Sequence, residues 1–432
     1  MGIDKDVINN VLKTFDVDRE SMLKVALLFK ETMEKSLKGE TTCLKMLPSF
    51  IGKPTGKEQG TFMTMDMGGT NLRCTKFKIK DGNFETLVEK KVKLVNKEKG
   101  YDLTKSNTDA KQLFGFMADC MAEIVEPGES MYLGNTFSFP CRQEGINEAY
   151  LIYWTKEITT SGVEGQNINK LLADALNEKN IKIEPVVVLN DTVGTLLVAM
   201  YSHQDADIGS IMGTGHNTCY LENNHPINGG KMIVNIESGN YNVGLPITKY
   251  DESIDKNSQM PGAQMLEKMV SGYYMGSIVR EACLDLYNQK ALFSDAGADA
   301  ETFFNQSFNA LMVENFILYP SKTAEQYGCS MTDAETIKQV SEAVLRRTVR
   351  LVATSHLGIL FHQENNGTAV KNKHVIAIDG TIYEKMPKAP ALMEKAFEDA
   401  LGEDCRNVEV RLVKDGSGLG AAIAAAVAST QK

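Results

Sequence analysis

The sequence predicts an α/β fold carried by more than one domain, and three observations point there. Short apolar, β-branched runs, the Pro-Val-Val-Val-Leu189 that follows Glu184 and Val375–Ile378, read as strands buried on both faces. Segments of helical spacing alternate with such strands. Glycine turns sit beside several strand ends, at Gly68-Gly69, Gly213-Thr-Gly215 and Gly416-Ser-Gly418. A chain of 432 residues with 43% hydrophobic content is too long for one typical core, so two or three domains are expected.

Taken in order, residues 3–38 read as helix, with Val7, Val11 and Leu12 on one face and Leu23, Val25, Leu27 and Leu28 continuing the apolar content. Residues 45–60 read as loop, with Pro48 and Pro54. Strands follow at 61–66 and 72–79, joined by a glycine turn. The stretch 126–153 is β-rich, punctuated by Gly134, Pro140 and Gly145, and 168–178 is helical. Beyond strand 184–189, residues 209–222 read as strand-turn-strand, 260–287 has mixed helical spacing, and 340–361 is a long amphipathic helix. Strand 375–378, helix 389–401, strand 408–413, a glycine turn and an Ala-rich helix close the chain. Met67-Gly-Gly-Thr70 and Met212-Gly-Thr-Gly215 form a weak internal echo, each inside a strand-turn-strand.

The net charge of −10 disfavours nucleic acid and anionic membrane as partners. Any phosphate site must then be made positive locally, by backbone N–H groups and a few placed cations. Eight scattered cysteines without a C-x-x-C pair argue against a zinc site or a disulfide framework and fit a reducing, cytoplasmic setting. Residues 1–20 lack an apolar signal core, and no apolar run approaches the ~20 residues of a membrane span, so neither is expected.

Several segments can carry chemistry. In Asp66-Met-Gly-Gly-Thr-Asn-Leu-Arg73, a strand ends in a carboxylate and two glycines let backbone approach a ligand. Thr70 adds a hydroxyl and Arg73 a cation; a plain glycine hairpin explains the same residues equally well. Gly213-Thr-Gly-His-Asn217 is a second tight, donor-rich turn, and read alone it too is a hairpin. Asp415-Gly-Ser-Gly418 follows a strand and opens a helix, the setting for a phosphate on a helix N-terminus, or for close packing of small residues. Asn190-Asp191 lies just past the C-terminal end of a buried strand, where open α/β sheets bind ligands. There Asp191 could accept a hydroxyl proton; read alone, the pair is an N-cap. Ser138, Trp154-Thr155-Lys156, Glu237 and Glu267 add hydroxyl, amine and carboxylate groups of the kind that read sugar hydroxyls, and singly each reads as a solvated surface residue.

Together these segments resemble, in order and spacing, the eukaryotic hexokinase family within the actin-like ATPase superfamily. The resemblance runs from about Leu23 to Ala428. It rests on Asp66-Met-Gly-Gly-Thr-Asn-Leu-Arg, Phe137-Ser-Phe-Pro-Cys-Arg-Gln, Trp154-Thr-Lys, Leu189-Asn-Asp-Thr-Val-Gly-Thr, Met212-Gly-Thr-Gly-His-Asn and Glu267-Lys-Met-Val-Ser-Gly-Tyr-Tyr-Met-Gly. It implies a two-lobed, ribonuclease H-like fold with a deep interlobe cleft. An N-terminal helix and linker, 1–54, would pack on the large lobe; the small lobe would span 55–189 and the large lobe 190–432.

It implies an ATP- and Mg²⁺-dependent hexose 6-phosphotransferase, acting on glucose first and on mannose or fructose as alternatives, at the first step of glycolysis. Asp191 would be the general base, and Lys156 would help neutralise the transferred phosphoryl. Ser138, Thr155, Lys156, Asn190, Asp191, Asn217, Glu237 and Glu267 would bind the hexose. Asp66 would hold Mg²⁺ through water, with Gly68, Gly69, Thr70, Asn71 and Arg73 around it. Gly213, Thr214, Asp379, Gly380, Thr381, Gly416, Ser417 and Gly418 would face the nucleotide. A homodimer is the expected assembly.

Three positions depart from the family pattern. Glu157 replaces a usual Gly, Ser238 a common Trp after the sugar-binding Glu, and Leu419 a frequent Lys. A sugar sensor of this fold would be expected to lose Asp191, Asp66 or Lys156, and all three are present. A chaperone-like nucleotide switch has no need of a hydroxyl-reading pocket.

Overall fold

The computed structural model describes residues 5–154, 158–294 and 300–430. Two compact units divide them: Met1–Lys45, Ile211–Thr218 and Glu237–Leu412 in the first, Met46–Ser210, Cys219–Ile236 and Val413–Lys432 in the second.

The second unit is built on a five-stranded sheet. Its order is Ile183–Leu189, Met131–Phe137, Gly60–Met67, Asn71–Lys80, Asn83–Lys93. The first three strands run parallel, Asn71–Lys80 returns antiparallel to them, and Asn83–Lys93 pairs antiparallel with Asn71–Lys80. Alternation of side chains sets what each face carries. Met63, Met65, Met67 and Leu133 point to one face and share a core with Leu113, Phe114, Met117 and Met121 of helix Ala110–Ala122 and with Leu172 and Leu176 of helix Ile168–Glu178. Thr64, Asp66, Gly134 and Thr136 point to the other face, which is covered by helix Gly416–Thr430. A side chain at Gly134 would collide with the Ala421 backbone, so glycine is what allows that helix to lie flat on the sheet. Helix Asp191–Ser202 packs on the same C-terminal helix.

In the first unit the expected single helix 3–38 is two, Lys5–Lys13 and Arg19–Leu37. Asp18 explains the break: it is extended, and its carboxylate accepts the Ser21 N–H at 2.8 Å, so the cap competes with helix continuation. Arg19–Leu37 lies along the 34-residue helix Met331–Glu364, approached through Gly358, where a Cβ would stand 2.7 Å from Phe29. That helix starts earlier than the spacing predicts, capped by Ser330, and it is buried nearly all round rather than amphipathic. Its Arg347 is fully buried in a bidentate pair with Asp251, at 2.7 and 2.8 Å, beneath the Phe15 ring. Strands His374–Asp379 and Val408–Leu412 pair in parallel. The segment expected to be helical at 260–287 is Met265–Val270 followed by Gly272–Asn288.

Candidate active site

In the second unit the site grows from the ends of three parallel strands. Asp66 pairs across strands with Thr136 on one side and Arg73 on the other. Gly68, Gly69 and Thr70 form the turn between them, with the Gly68 N–H donating to the Asn71 carbonyl at 3.1 Å and the Thr70 carbonyl held by the Leu94 N–H at 2.9 Å. Arg73 is not turned outward: Nη2 lies 3.3 Å from Asp66 Oδ2 and 2.5 Å from Asp415 Oδ1. Asp415 sits in left-handed backbone, φ 56°, just before helix Gly416–Thr430. Thr136 Oγ1 donates to the Ser417 carbonyl at 2.9 Å, tying the last glycine turn to the sheet end.

Asn190 caps helix Asp191–Ser202, accepting the Thr192 N–H at 2.9 Å, so the capping reading holds for Asn190. Asp191 is the first helical residue, and its Oδ1 also receives the Thr192 N–H, at 2.8 Å. The carboxyl of Asp66 is held above the ordinary range, first by burial and then by the charges of Asp191 and Asp415, against the lowering pull of Arg73. Asp191 and Asp415 thus both lie within electrostatic reach of Asp66, and Arg73 pairs with Asp66 and Asp415. This surplus of negative charge suits a divalent cation. Among the described residues no three His, Cys, Asp or Glu side chains form a metal cage. That donor set fits Mg²⁺, which takes one or two carboxylates and keeps water and phosphate oxygens.

Ser138 lies between Phe137 and Phe139, and Trp154 packs on both, with centroids 6.0 and 4.9 Å away. The indole Nε1 donates to the Thr160 carbonyl at 2.8 Å. This aromatic cluster brings the Ser-Phe-Pro segment and the start of the Trp-Thr-Lys segment together. Thr155, Lys156 and Glu157 lie outside the described residues.

In the first unit the hairpin turn Gly213–Gly215 is gripped from two sides. The Gly272 and Tyr273 N–H groups donate to the Gly213 and Thr214 carbonyls at 2.9 and 3.1 Å. Gly380, at φ 130°, packs so closely that a Cβ there would meet the Met212 carbonyl, and a Cβ on Gly213 would stand 3.2 Å from the Gly380 Cα. The two turns expected on the nucleotide side, 213–214 and 379–381, are therefore adjacent.

Three of the expected sugar readers, Asn217, Glu237 and Glu267, lie near that turn. Glu267 Oε2 accepts the His216 N–H at 2.7 Å, and the carboxylate is flanked by Gly215 and Gly239, where added Cβ atoms would lie 3.2 and 3.1 Å from its oxygens. Asn217 Oδ1 accepts the Thr218 and Ser238 N–H groups at 2.7 and 3.2 Å. Glu237 stands in left-handed backbone, φ 57°, a conformation that a non-glycine residue adopts at a cost.

The structure also places residues that the sequence reading left out of the site. Asp415 was legible only as the acid before a glycine run. His216 was legible only as a member of the Gly213–Asn217 turn and Ser238 only as a departure from the family pattern, because their contact joins residues 22 positions apart. At the last glycine turn the packing reading accounts for Gly416, against Thr195, and for Gly420, against Gly194; Gly418 instead lies against Asp415 and Arg73.

Comparison with known proteins follows this geometry. Two family models described as Hexokinase match residues 7–201 and 207–427. The chain is 33% identical to Hexokinase-1 of Schizosaccharomyces pombe over 99% of its own length and 92% of that protein. It is 31% identical to mouse Hexokinase-3, covering 98% of this chain and 47% of that one, so it spans about half the length of the mouse relative. A crystal structure of a hexokinase aligns with TM-score 0.85 at 29% identity, covering 98% of this chain and 99% of that one. A hexokinase from Schistosoma mansoni complexed with glucose aligns with TM-score 0.82 at 27% identity over the same shares of the two chains. With family models matching both halves and folds of this likeness across nearly its whole length, the chain belongs to the hexokinase family.

Proposed function

We propose that the protein transfers the γ-phosphoryl group of Mg-ATP to the 6-hydroxyl of a hexose, with glucose the leading substrate, and that Asp191 is the general base. The observation that carries this is the placement of Asp191 on the first turn of a helix that leaves a parallel strand end, within electrostatic reach of Asp66. Asp191 takes the hydroxyl proton as the sugar oxygen attacks the γ-phosphorus and ADP leaves. Mg²⁺, when bound, neutralises phosphate charge, and Asp66 would hold it through water. Asn217, Glu237 and Glu267, with Ser138, Asn190, Thr155 and Lys156, read the sugar hydroxyls. The Gly68–Arg73 turn, Gly213-Thr214, Asp379–Thr381 and Gly416–Gly418 take the nucleotide. The lobe division at 189/190, the glycolytic and cytoplasmic setting and a homodimer belong to the same reading.

The test is a coupled assay of ADP release with Mg-ATP, with and without glucose, for wild type and Asp191→Ala. Sugar-dependent turnover should fall by about 10²-fold or more in the variant while glucose still binds. Equal ADP release without sugar would replace this reading with a nucleotide switch. Glucose binding without turnover in the wild type would replace it with a sugar sensor.

A further inference from the structure

Ser238, the residue that stands where a Trp is common, is fully buried, and so is the His216 ring beside it. The imidazole is polarised by its neighbours. Its Nδ1 lies 3.1 Å from the Ile211 carbonyl, which can only accept, so Nδ1 carries the proton. Nε2 is then the acceptor, and it lies 3.4 Å from Ser238 Oγ, so the serine hydroxyl donates to it. The same two residues reach the sugar readers through their backbones. The Ser238 N–H donates to Asn217 Oδ1 at 3.2 Å, which fixes the amide's orientation. The His216 N–H donates to Glu267 Oε2 at 2.7 Å. Ser238 also directly follows Glu237, whose left-handed φ of 57° needs support from its surroundings. One side-chain hydrogen bond therefore couples the strand that carries Asn217 to the turn that carries Glu237.

We propose that His216 and Ser238 are positioning residues for hexose recognition, and that their side-chain hydrogen bond sets the geometry of Asn217, Glu237 and Glu267. The inference rests on the hexose-kinase reading above and adds to it a side-chain contact between a residue inside a family motif, His216, and one that departs from the family pattern, Ser238. The pair touches no reacting atom. Its loss should weaken sugar binding and leave the chemical step largely intact.

The test compares wild type, Ser238→Ala, Ser238→Thr and His216→Asn. Asparagine keeps a donor toward Ile211 and removes the acceptor for Ser238. Glucose affinity is read by titration calorimetry, kcat and KM by the coupled assay, and folding by thermal melting. Ser238→Ala and His216→Asn should each raise the glucose Kd and KM about tenfold, with kcat within about threefold and melting close to wild type. Ser238→Thr, which keeps the hydroxyl, should return KM to within about threefold of wild type. An unchanged KM in Ser238→Ala overturns the proposal. So does a fall in kcat and KM together with lowered melting and no rescue by threonine, since that is the mark of a purely structural role. If the wild type binds glucose normally and Ser238→Ala binds it equally well, only the positioning role falls. If the wild type binds no glucose, mannose or fructose, the hexose reading falls and takes this role with it.

Discussion

At Asp66 the structure holds a carboxylate that costs stability for the sake of its place. Its pKa is raised, first by burial and then by Asp191 and Asp415. A carboxyl whose folded pKa exceeds its unfolded one binds its proton more tightly when folded, so stability rises as pH falls through the folded pKa and a penalty is carried at pH 7. Asp66→Asn should therefore raise the melting temperature of the ligand-free protein. Turnover with Mg-ATP should fall by roughly 10²-fold, the scale of losing one charge-stabilising group. Differential scanning calorimetry and the coupled assay on the same preparation check both halves. A variant that melts lower would show that the Asp66–Arg73 contact outweighs the repulsion.

At the scale of elements, glycines that look alike in the sequence differ by what they touch. Gly194, inside helix Asp191–Ser202, has no room: a Cβ would stand 2.6 Å from the Gly416 carbonyl. Gly194→Ala should overpack the contact with helix Gly416–Thr430 and cost about 1–3 kcal/mol. Gly115, inside helix Ala110–Ala122, has nothing within 4 Å of an added Cβ. Gly115→Ala should stabilise by about 0.5–1 kcal/mol through helix propensity and reduced chain entropy. Urea unfolding midpoints of the two variants should move in opposite directions, provided the slopes are unchanged. Because Gly194 lies in the helix that carries Asp191 and packs against the turn at Gly416, its replacement should also lower turnover.

For the whole molecule, two buried histidines make acid the sensitive side. Burial pushes His216 down to about 4 and His356 down to about 3, His216 adding to the latter. Among the described residues neither His356 ring nitrogen finds a hydrogen-bond partner. The unfolded chain takes up protons on both near pH 6.5 while the folded chain does not, so stability present above pH 6.5 is lost as pH falls toward 4 and 3. With each histidine contributing about 1.4 kcal/mol per pH unit, the expected loss between pH 7 and 5 is roughly 3–4 kcal/mol. His356→Leu should remove about half of that dependence in urea titrations at the two pH values. Carboxylates held low by ion pairs or caps, such as Asp255 and Asp404, act in the same direction only below about pH 4.

The sequence by itself determined the α/β class, most strands, and the order of the functional segments, because those are local demands. A strand ending in Asp66 and a glycine turn, or a cap at Asn190 before a helix, is written in a few adjacent residues. The helix 110–122 went unread, since Ala, Gly, Met and Phe leave a weak pattern there, and the break at Asp18 was hidden in an otherwise helical stretch. Only the tertiary structure decided which residues work in pairs. It turned Arg73 toward Asp415, joined Thr136 to Ser417, seated Gly416 and Gly420 against one helix, buried Arg347 with Asp251, and linked His216 to Ser238. Such pairings join residues far apart in the chain, and they form where packing removes water and a buried polar group must find its partners among the groups the fold brings within reach. Local residue order cannot state that condition, because it depends on what the rest of the fold brings to the same place.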